Sequence, residues 1–229
     1  MSDFLRLLEN EVQIAALAFL VVVYIIRIIW LLRFRPVKER TFPAGEARTG
    51  IAHSMMNIAM PWAMESTRKN PLFYAQFVIF HLGVTAAIAA TFIIPYGPKL
   101  FTVKAVAVVF QAVIAAALLT GLLRLYRRLS SPRMRLISTV DDYFSIVLMI
   151  LFFASGLLSV ANRHRESEWP LFVFFGLTAL LLVYVPFSKI GHYLYYPVLR
   201  FILGRSLGHR GYFGELKKGR RRSGPEGGT

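Results

Sequence analysis

The sequence predicts an all-α integral membrane protein, built as a bundle of five transmembrane helices. Hydrophobic residues make up 56% of the 229-residue chain and charged residues only 17%, against about 25% charged residues in an average soluble domain. The mean hydropathy is +0.54. The apolar residues form blocks long enough to cross, as helices, a hydrocarbon core about 30 Å thick. These blocks cover residues 12–33, 73–95, 104–123, 143–161 and 170–193.

Lysine and arginine are distributed unequally between the two ends of these spans. Seven lie from Arg33 to Leu72, five in residues 124–139 and nine from Lys189 to the C-terminus, whereas the segments and span ends on the other side hold five. The positive-inside rule therefore places the N-terminus outside and the C-terminus in the cytoplasm, as in a multi-pass protein of the inner (cytoplasmic) membrane. Contacts with anionic membrane lipids account for the net charge of +15, so no nucleic-acid partner is expected.

Residues 1–205 are predicted to form the membrane domain, and residues 206–229 a basic, disordered cytoplasmic tail. The cytoplasmic loop 34–72 is too long for a plain connection. Four apolar residues in it have helical spacing, which predicts an amphipathic helix at the membrane interface. Such a helix would either cap the bundle or provide a docking surface. The four residues are Ile51, Met55, Ile58 and Trp62.

The chain contains no cysteine. Disulfides, thiolate metal sites, iron–sulfur ligation and covalently attached c-type haem are therefore excluded, and any redox group that this chain binds must be a non-covalent cofactor. No paired carboxylates, nucleophile motif or phosphate loop indicates hydrolytic chemistry, and we predict no catalytic side chain. We interpret Asp141 and Asp142, at the inner start of span four, as helix-capping residues.

Two of the five histidines lie within a span or at its end. His81 is inside span two, in FVIFHLGV, and His192 is at the cytoplasmic end of span five, in VPFSKIGHYLYYP. An imidazole in hydrocarbon is costly unless it has a partner. Two such histidines on different helices near one leaflet are typical of a bis-histidine haem b, while a hydrogen-bonded pair and a proton relay remain open alternatives. We interpret His53, His164 and His209 as solvated residues.

Three segments carry a family resemblance. RLYRRLSSPRMRLISTVDDYFSIVLMILFFASGLLSV resembles the third-to-fourth span region of the cytochrome b (gamma) subunit of respiratory nitrate reductases. PFSKIGHYLYYPV is similar to the end of that family's fifth span, and FHLG to its second span, each of which carries a haem ligand. The likeness covers about residues 70–200. It implies that His81 and His192 are the axial ligands of the haem iron nearest the cytoplasm.

The chain departs from this family at the second haem. The family's other two ligands lie ten residues after the first histidine and eighteen before the last, which are Thr91 and Phe174 in this chain. Neither residue is a usual haem ligand. The resemblance, together with this departure, implies one haem b instead of two.

The first loop adds a second, shorter resemblance. PAG followed by MPWAMESTRKNP is similar to the cytochrome b subunits of heterodisulfide-reductase-like and dissimilatory sulfite-reduction complexes. Those relatives exchange electrons with a cytoplasmic iron–sulfur protein. The two resemblances imply an electron-transfer subunit of a hetero-oligomeric respiratory oxidoreductase, with quinone, membrane lipids and a cytoplasmic iron–sulfur subunit as partners.

Basic residues at the inner ends of the spans are candidate contacts for the haem propionates, which need cationic partners. They are Lys189, Arg124 and Arg128, with Lys189 preferred because it precedes His192 by three residues on one predicted helical face. By resemblance, Lys104 at the outer start of span three is a candidate quinone contact. A quinone there would be far from a haem near the inner face, and an interfacial lysine needs no such role.

Two other functions are compatible with the sequence. One is a haem-free membrane anchor that scaffolds a catalytic partner. The other is a small proton channel or transporter with the histidines as a relay. Few acidic residues within the spans and no broken helices disfavour the second of these.

Overall fold

The computed structural model describes residues 2–34, 40–60, 62, 65–162 and 166–212. Over these residues the chain is helical and contains no β-strand, which confirms the predicted fold class. The α-helices are α1 (Asp3–Glu9), α2 (Glu11–Arg33), α3 (Ala47–Ala59), α4 (Glu65–Lys69), α5 (Pro71–Tyr96), α6 (Lys99–Thr102), α7 (Lys104–Ser130), α8 (Pro132–Ile137), α9 (Val140–Ala161), α10 (Trp169–Tyr184) and α11 (His192–His209).

Five helical stretches in the described ranges are long and apolar enough to cross a membrane, which confirms a multi-pass membrane protein. They are Asp3–Arg33, Pro71–Tyr96, Lys104–Ser130, Val140–Ala161 and Trp169–Phe187. Many large apolar side chains on these helices are exposed, such as Ile26 at 61% and Val109 at 60%. In a bilayer these faces would contact lipid tails.

Two boundaries differ from the sequence prediction. The first span begins at Asp3 instead of residue 12, because the Ser2 hydroxyl accepts a hydrogen bond from the Leu5 N–H at 3.3 Å and starts a helix there. The fifth span ends at Phe187 instead of residue 193. Pro186 lacks an N–H and cannot continue the α-helical hydrogen bonds, and Ser188 is extended, with φ −103° and ψ 171°. The chain therefore leaves α10 and makes two 3₁₀ turns, Val185–Phe187 and Lys189–Gly191, before α11 begins.

The chain divides into two compact units. Unit one comprises residues 1–26 and 72–191, and unit two comprises residues 27–71 and 192–229. Residues 206–209, which we had assigned to the disordered tail, form the last turn of α11. The rest of the predicted tail from residue 213 onward lies outside the described residues.

The core of unit one is rich in aromatic rings. Phe153, Phe174 and Phe175 are completely buried, and Phe152 stacks on Phe174 with ring centroids 5.2 Å apart and an interplanar angle of 9°. Each aromatic side chain removes a large apolar area from its surroundings, and offset stacking adds to the packing energy. This cluster links α9 to α10.

Helices α5 and α7 approach closely because small residues meet at their contact. A Cβ atom on Gly83 would lie 2.0 Å from the Ala117 Cβ. Further along, Gly121 faces Phe80, since an added Cβ would be 3.7 Å from that ring. The pairs Gly83–Ala117 and Phe80–Gly121 run in opposite directions along the two helices, so α5 and α7 are antiparallel. Small residues commonly allow such backbone contact between membrane helices.

Unit two is built on α3 and α11, which also meet through small residues. A Cβ on Gly50 would lie 2.2 Å from the Gly204 carbonyl oxygen and 2.5 Å from the Gly208 Cα. The Ser54 hydroxyl donates to the Arg200 carbonyl at 2.7 Å, and the Arg200 guanidinium donates to the Ser54 carbonyl at 3.0 and 3.2 Å. Each of these two residues therefore holds the other's backbone.

A helix, α3, is present in the predicted loop, but it ends at Ala59 and does not include Trp62. Gly50 and Ser54 are the buried residues of α3, whereas Met55 and Trp62 are 36% and 56% exposed. The close approach of two backbones selects glycine and serine for the contact and leaves the larger side chains outside.

The α5–α7 contact makes a matched pair of variants informative. We expect Gly83→Ala to lower the free energy of unfolding by about 1–3 kcal/mol, because an added methyl group overpacks the contact with Ala117. Gly176→Ala on α10 is the control, since nothing lies within 4 Å of an added Cβ there. Thermal unfolding of the detergent-purified protein measures both variants. Equal losses of stability in the two variants would contradict the close contact.

Candidate functional site

His81 lies on α5 in unit one and is half-buried. Its Nδ1 is 2.8 Å from the Phe77 carbonyl oxygen, and its ring centroid is 4.0 Å from that of Phe77. A carbonyl oxygen can only accept, so Nδ1 is the donor of this bond, and in the neutral imidazole the lone pair is then on Nε2. Metal-binding histidines are typically oriented by such a bond from their other ring nitrogen.

His192 lies in unit two and is exposed. The sequence prediction placed His192 at the end of span five, whereas in the structure it is the first residue of α11. The residue before it, Gly191, is buried in unit one at the end of the second 3₁₀ turn. A Cβ at Gly191 would be 3.0 Å from the Val185 carbonyl oxygen, so the turn that leads into His192 is tightly folded.

Lys189 and Arg128, two of the candidate propionate contacts, meet at one carboxylate. The Lys189 Nζ is 2.7 Å from Asp142 Oδ2 and 2.9 Å from Thr139 Oγ1. Arg128 approaches the same carboxylate at 3.6 Å and donates to the Ser138 hydroxyl at 2.7 Å. Lys189 also lies in a 3₁₀ turn, not in the helix that carries His192, so the predicted shared helical face is absent.

Asp142 caps α9, which confirms its interpretation from the sequence. One oxygen of its carboxylate accepts hydrogen bonds from the Thr139 N–H at 2.8 Å and the Thr139 hydroxyl at 3.0 Å. Because the side chain of Asp142 is only 13% exposed, these bonds and the two cations compensate for its limited contact with solvent.

Asp141 makes contacts beyond the predicted role in helix capping. Its carboxylate accepts hydrogen bonds from the Tyr184 hydroxyl and from the Lys189 N–H, and the Tyr184 hydroxyl lies 2.9 Å from the Ser145 hydroxyl. We had assigned no role to Tyr184 or Ser145. The available signal was that each is a polar residue at the same end of its span, where it needs a partner.

Another polar residue that the sequence analysis missed is Glu9, which is only 2% exposed. We had placed it outside the first span, whereas α1 brings it into the packed part of unit one. The sequence signal for the burial of Glu9 was its spacing of four residues from the apolar Leu5, because residues four apart share one helical face.

Arg124 lies on α7, close to the residue that precedes His81. Its guanidinium carbon is 4.7 Å from the centroid of the Phe80 ring, a cation–π contact. The Arg124 Nε is buried and has no hydrogen-bond acceptor among the residues that the structure describes.

Lys104, the candidate quinone contact, is the exposed first residue of α7. The opposite end of the same helix carries Arg124 and Arg128. Those two residues and Lys104 are therefore separated by most of the length of α7.

The two positions where the resembling family has its other haem ligands have ordinary structural roles here. The Thr91 hydroxyl donates to the Ile88 carbonyl at 2.7 Å within α5. Phe174 is completely buried in the aromatic core, and its ring would lie 3.0 Å from a Cβ placed at Gly156. A packed phenyl ring therefore fills the position of one of these ligands.

No group of three or more histidine, cysteine or acidic side chains that could hold a metal ion occurs in the described ranges. A haem iron needs only two axial ligands from the protein, because the porphyrin supplies the others. In unit one, the imidazole of His81 and the buried Nε of Arg124 are residue types that fit an axial ligand and a propionate contact.

The Asp142 cluster leads to a graded stability prediction. We expect Asp142→Ala to lower the free energy of unfolding by about 1–3 kcal/mol, because two capping bonds and two charge contacts are lost. Lys189→Met removes the contacts of a half-exposed ammonium with Asp142 and Thr139, so its loss should stay below about 1 kcal/mol. Thermal unfolding of the purified variants measures both. A larger loss in Lys189→Met than in Asp142→Ala would contradict this ranking.

Glu65→Gln is the control for these two variants. Glu65 pairs with Lys69 at 2.7 Å, but both side chains are at least 70% exposed. A surface pair of this kind contributes little, and we expect no measurable change in stability.

No protein-family model matches this chain, and no solved structure matches it. A protein of Nitratidesulfovibrio vulgaris (strain Hildenborough) is 24% identical over 161 residues, which cover 68% of this chain and 70% of that protein. Its name states no activity. The chain is therefore similar to a bacterial protein of comparable extent, and that similarity assigns neither a family nor a function.

Proposed function

We propose that this protein is a membrane cytochrome b subunit that binds a single haem b, with His81 and His192 as the axial ligands of its iron. In this proposal it transfers electrons between the quinone pool and a cytoplasmic iron–sulfur protein, as part of a larger respiratory oxidoreductase complex. When bound, the haem supplies one-electron redox chemistry. The chain supplies the two axial imidazoles, the hydrophobic surroundings and the contacts that set the reduction potential.

The observation that carries this proposal is the hydrogen bond between His81 Nδ1 and the Phe77 carbonyl. Histidine within an apolar helix is a candidate functional residue. The bond to Phe77 orients the imidazole through its Nδ1, as a hydrogen bond from the other ring nitrogen does in metal-binding histidines. This orientation is compatible with a role of His81 as an axial ligand of haem iron.

The resemblance to the nitrate reductase gamma subunit supplies the second ligand, His192, and the single-haem stoichiometry. The buried Phe174 ring supports that stoichiometry, since it fills a position where the two-haem relatives have a histidine. The sequence asymmetry of lysine and arginine supports an N-terminus outside and a C-terminus in the cytoplasm. In that orientation the haem is near the cytoplasmic face, where an iron–sulfur partner would exchange electrons with it.

The quinone is the proposed membrane-soluble partner, and Lys104 is its candidate contact by resemblance. Because Lys104 is at the opposite end of α7 from Arg124, a quinone bound there would be distant from a haem near the cytoplasmic face. We therefore propose that the quinone binds deeper in the bundle or that another subunit bridges the distance.

The haem content of the purified protein tests the proposal. We expect about one haem b per polypeptide by the pyridine haemochromogen assay, and near-complete loss of haem in His81→Ala and in His192→Ala, because each removes one axial ligand. His53→Ala is the matched control, since His53 is an exposed histidine of α3, and it should retain the full haem content.

Three other outcomes would each identify a different error. A ratio near two would mean that a ligand other than Thr91 or Phe174 holds a second haem. A haem-free protein that still assembles with its partner subunits would support the membrane-anchor alternative and overturn the cytochrome proposal. Proton or solute flux into liposomes by the haem-free protein alone would support the channel alternative.

A further inference from the structure

Arg124 is a partly buried cation whose surroundings leave one donor without an acceptor. Its guanidinium packs over the Phe80 ring at 4.7 Å, and its buried Nε has no acceptor in the described part of the chain. Phe80 itself packs edge-on against Phe153 at 5.2 Å, which places this contact against the aromatic core of unit one.

The neighbouring cations of α7 are engaged differently. Arg128 is paired with Asp142 and bonded to Ser138. Arg127 packs over Phe73 at 5.0 Å, and it is exposed. Arg124 thus combines partial burial with an unmet donor, whereas Arg128 has an anionic partner and Arg127 is accessible to solvent.

A buried, unmet donor on a charged group is costly. Leaving a buried donor unsatisfied costs about 1–3 kcal/mol, and more when the group is charged. Arg128, one helical turn away from Arg124, adds a second positive charge on the same face. An oxyanion would relieve both costs, and the planar guanidinium fork is suited to bind a carboxylate or a phosphate.

The position of Arg124 relative to His81 narrows the choice of oxyanion. The antiparallel contact of Gly83 with Ala117 sets the register of α5 and α7. His81 lies two residues before Gly83 on α5, and Arg124 lies seven residues after Ala117 on α7. Because the two helices are antiparallel, both residues lie on the same side of the Gly83–Ala117 contact. At the rise of an α-helix, Arg124 therefore lies roughly 7 Å beyond the level of His81. Among the groups proposed for this site, the anionic ones are the propionate carboxylates of the haem.

We propose that Arg124 binds a propionate of the haem whose iron is held by His81. This inference rests on the proposed function and deepens it, because it selects one of three candidate cations. Lys189 and Arg128 instead stabilise the start of α9 through Asp142. A phosphate of an anionic lipid is the other source of an oxyanion at Arg124, and the experiment distinguishes the two.

The test compares two proteins, wild type and Arg124→Gln, each with two forms of haem, as in a double-mutant cycle. Wild-type protein and the variant are loaded with haem b or with its dimethyl ester, in which the propionates carry no charge. The rate of haem loss to excess apomyoglobin is then measured. We expect Arg124→Gln to accelerate the loss of haem b by about tenfold and to leave the loss of the ester nearly unchanged, because the carboxylate contact is already absent.

Arg127→Gln is the matched control. Arg127 lies about one helical turn from Arg124 and is exposed, so the variant removes the same charge from a solvent-accessible position. It should change neither rate. If Arg124→Gln accelerates the loss of haem b and of its ester equally, Arg124 acts on folding or packing and the proposal is overturned. Arg124→Lys, which keeps the charge but loses the fork, should give an intermediate rate with haem b.

Three further outcomes separate the propionate proposal from the lipid alternative and from a failure of the proposed function. If Arg124→Gln leaves haem loss unchanged but lowers the amount of phosphatidylglycerol that copurifies, the oxyanion is a lipid phosphate and the propionate proposal is wrong. A wild-type protein that binds neither haem b nor its ester overturns the proposed function itself. Haem binding by the wild type with no effect of Arg124→Gln overturns this inference alone.

Discussion

Hydrocarbon offers no hydrogen bonds, and this constraint determines where the polar groups of the described spans lie and what they contact. His81 donates to the carbonyl of the preceding turn, Thr91 does the same, and the Tyr184 hydroxyl reaches the Asp141 carboxylate at the end of its span. Arg124 has a buried nitrogen without an acceptor in the same part of the chain. The proposal that Arg124 binds an anion follows from this contrast between satisfied and unsatisfied groups.

A second constraint is the close approach of helices through small residues. Gly83 and Ala117 bring α5 and α7 together in unit one, and Gly50 with Gly204 and Gly208 bring α3 and α11 together in unit two. The first of these contacts fixes the register between His81 and Arg124. The packing of small residues therefore sets the spacing on which the propionate proposal depends.

The five spans and the capping role of Asp142 could be predicted from the sequence, because block length, hydropathy and local spacing are properties of neighbouring residues. The end of span five was missed because apolar residues continue past Pro186 after the backbone has left the α-helix. The partner of Lys189 was also beyond prediction, since Asp142 is 47 residues away and only the packing of unit one joins them. The contact of α3 with α11 through Gly50 and Ser54 was also beyond prediction, because hydrophobic spacing does not reveal where two backbones meet.

The central claim is that two imidazoles, those of His81 and His192, ligate one iron. Near-infrared magnetic circular dichroism of the oxidised protein reports axial ligands directly, because the charge-transfer band of low-spin ferric haem depends on ligand type. The account predicts one low-spin haem with a bis-histidine band that is replaced by a histidine–methionine band in His192→Met. A wild-type spectrum of high-spin haem, or a bis-histidine band that persists in His192→Met, would contradict it.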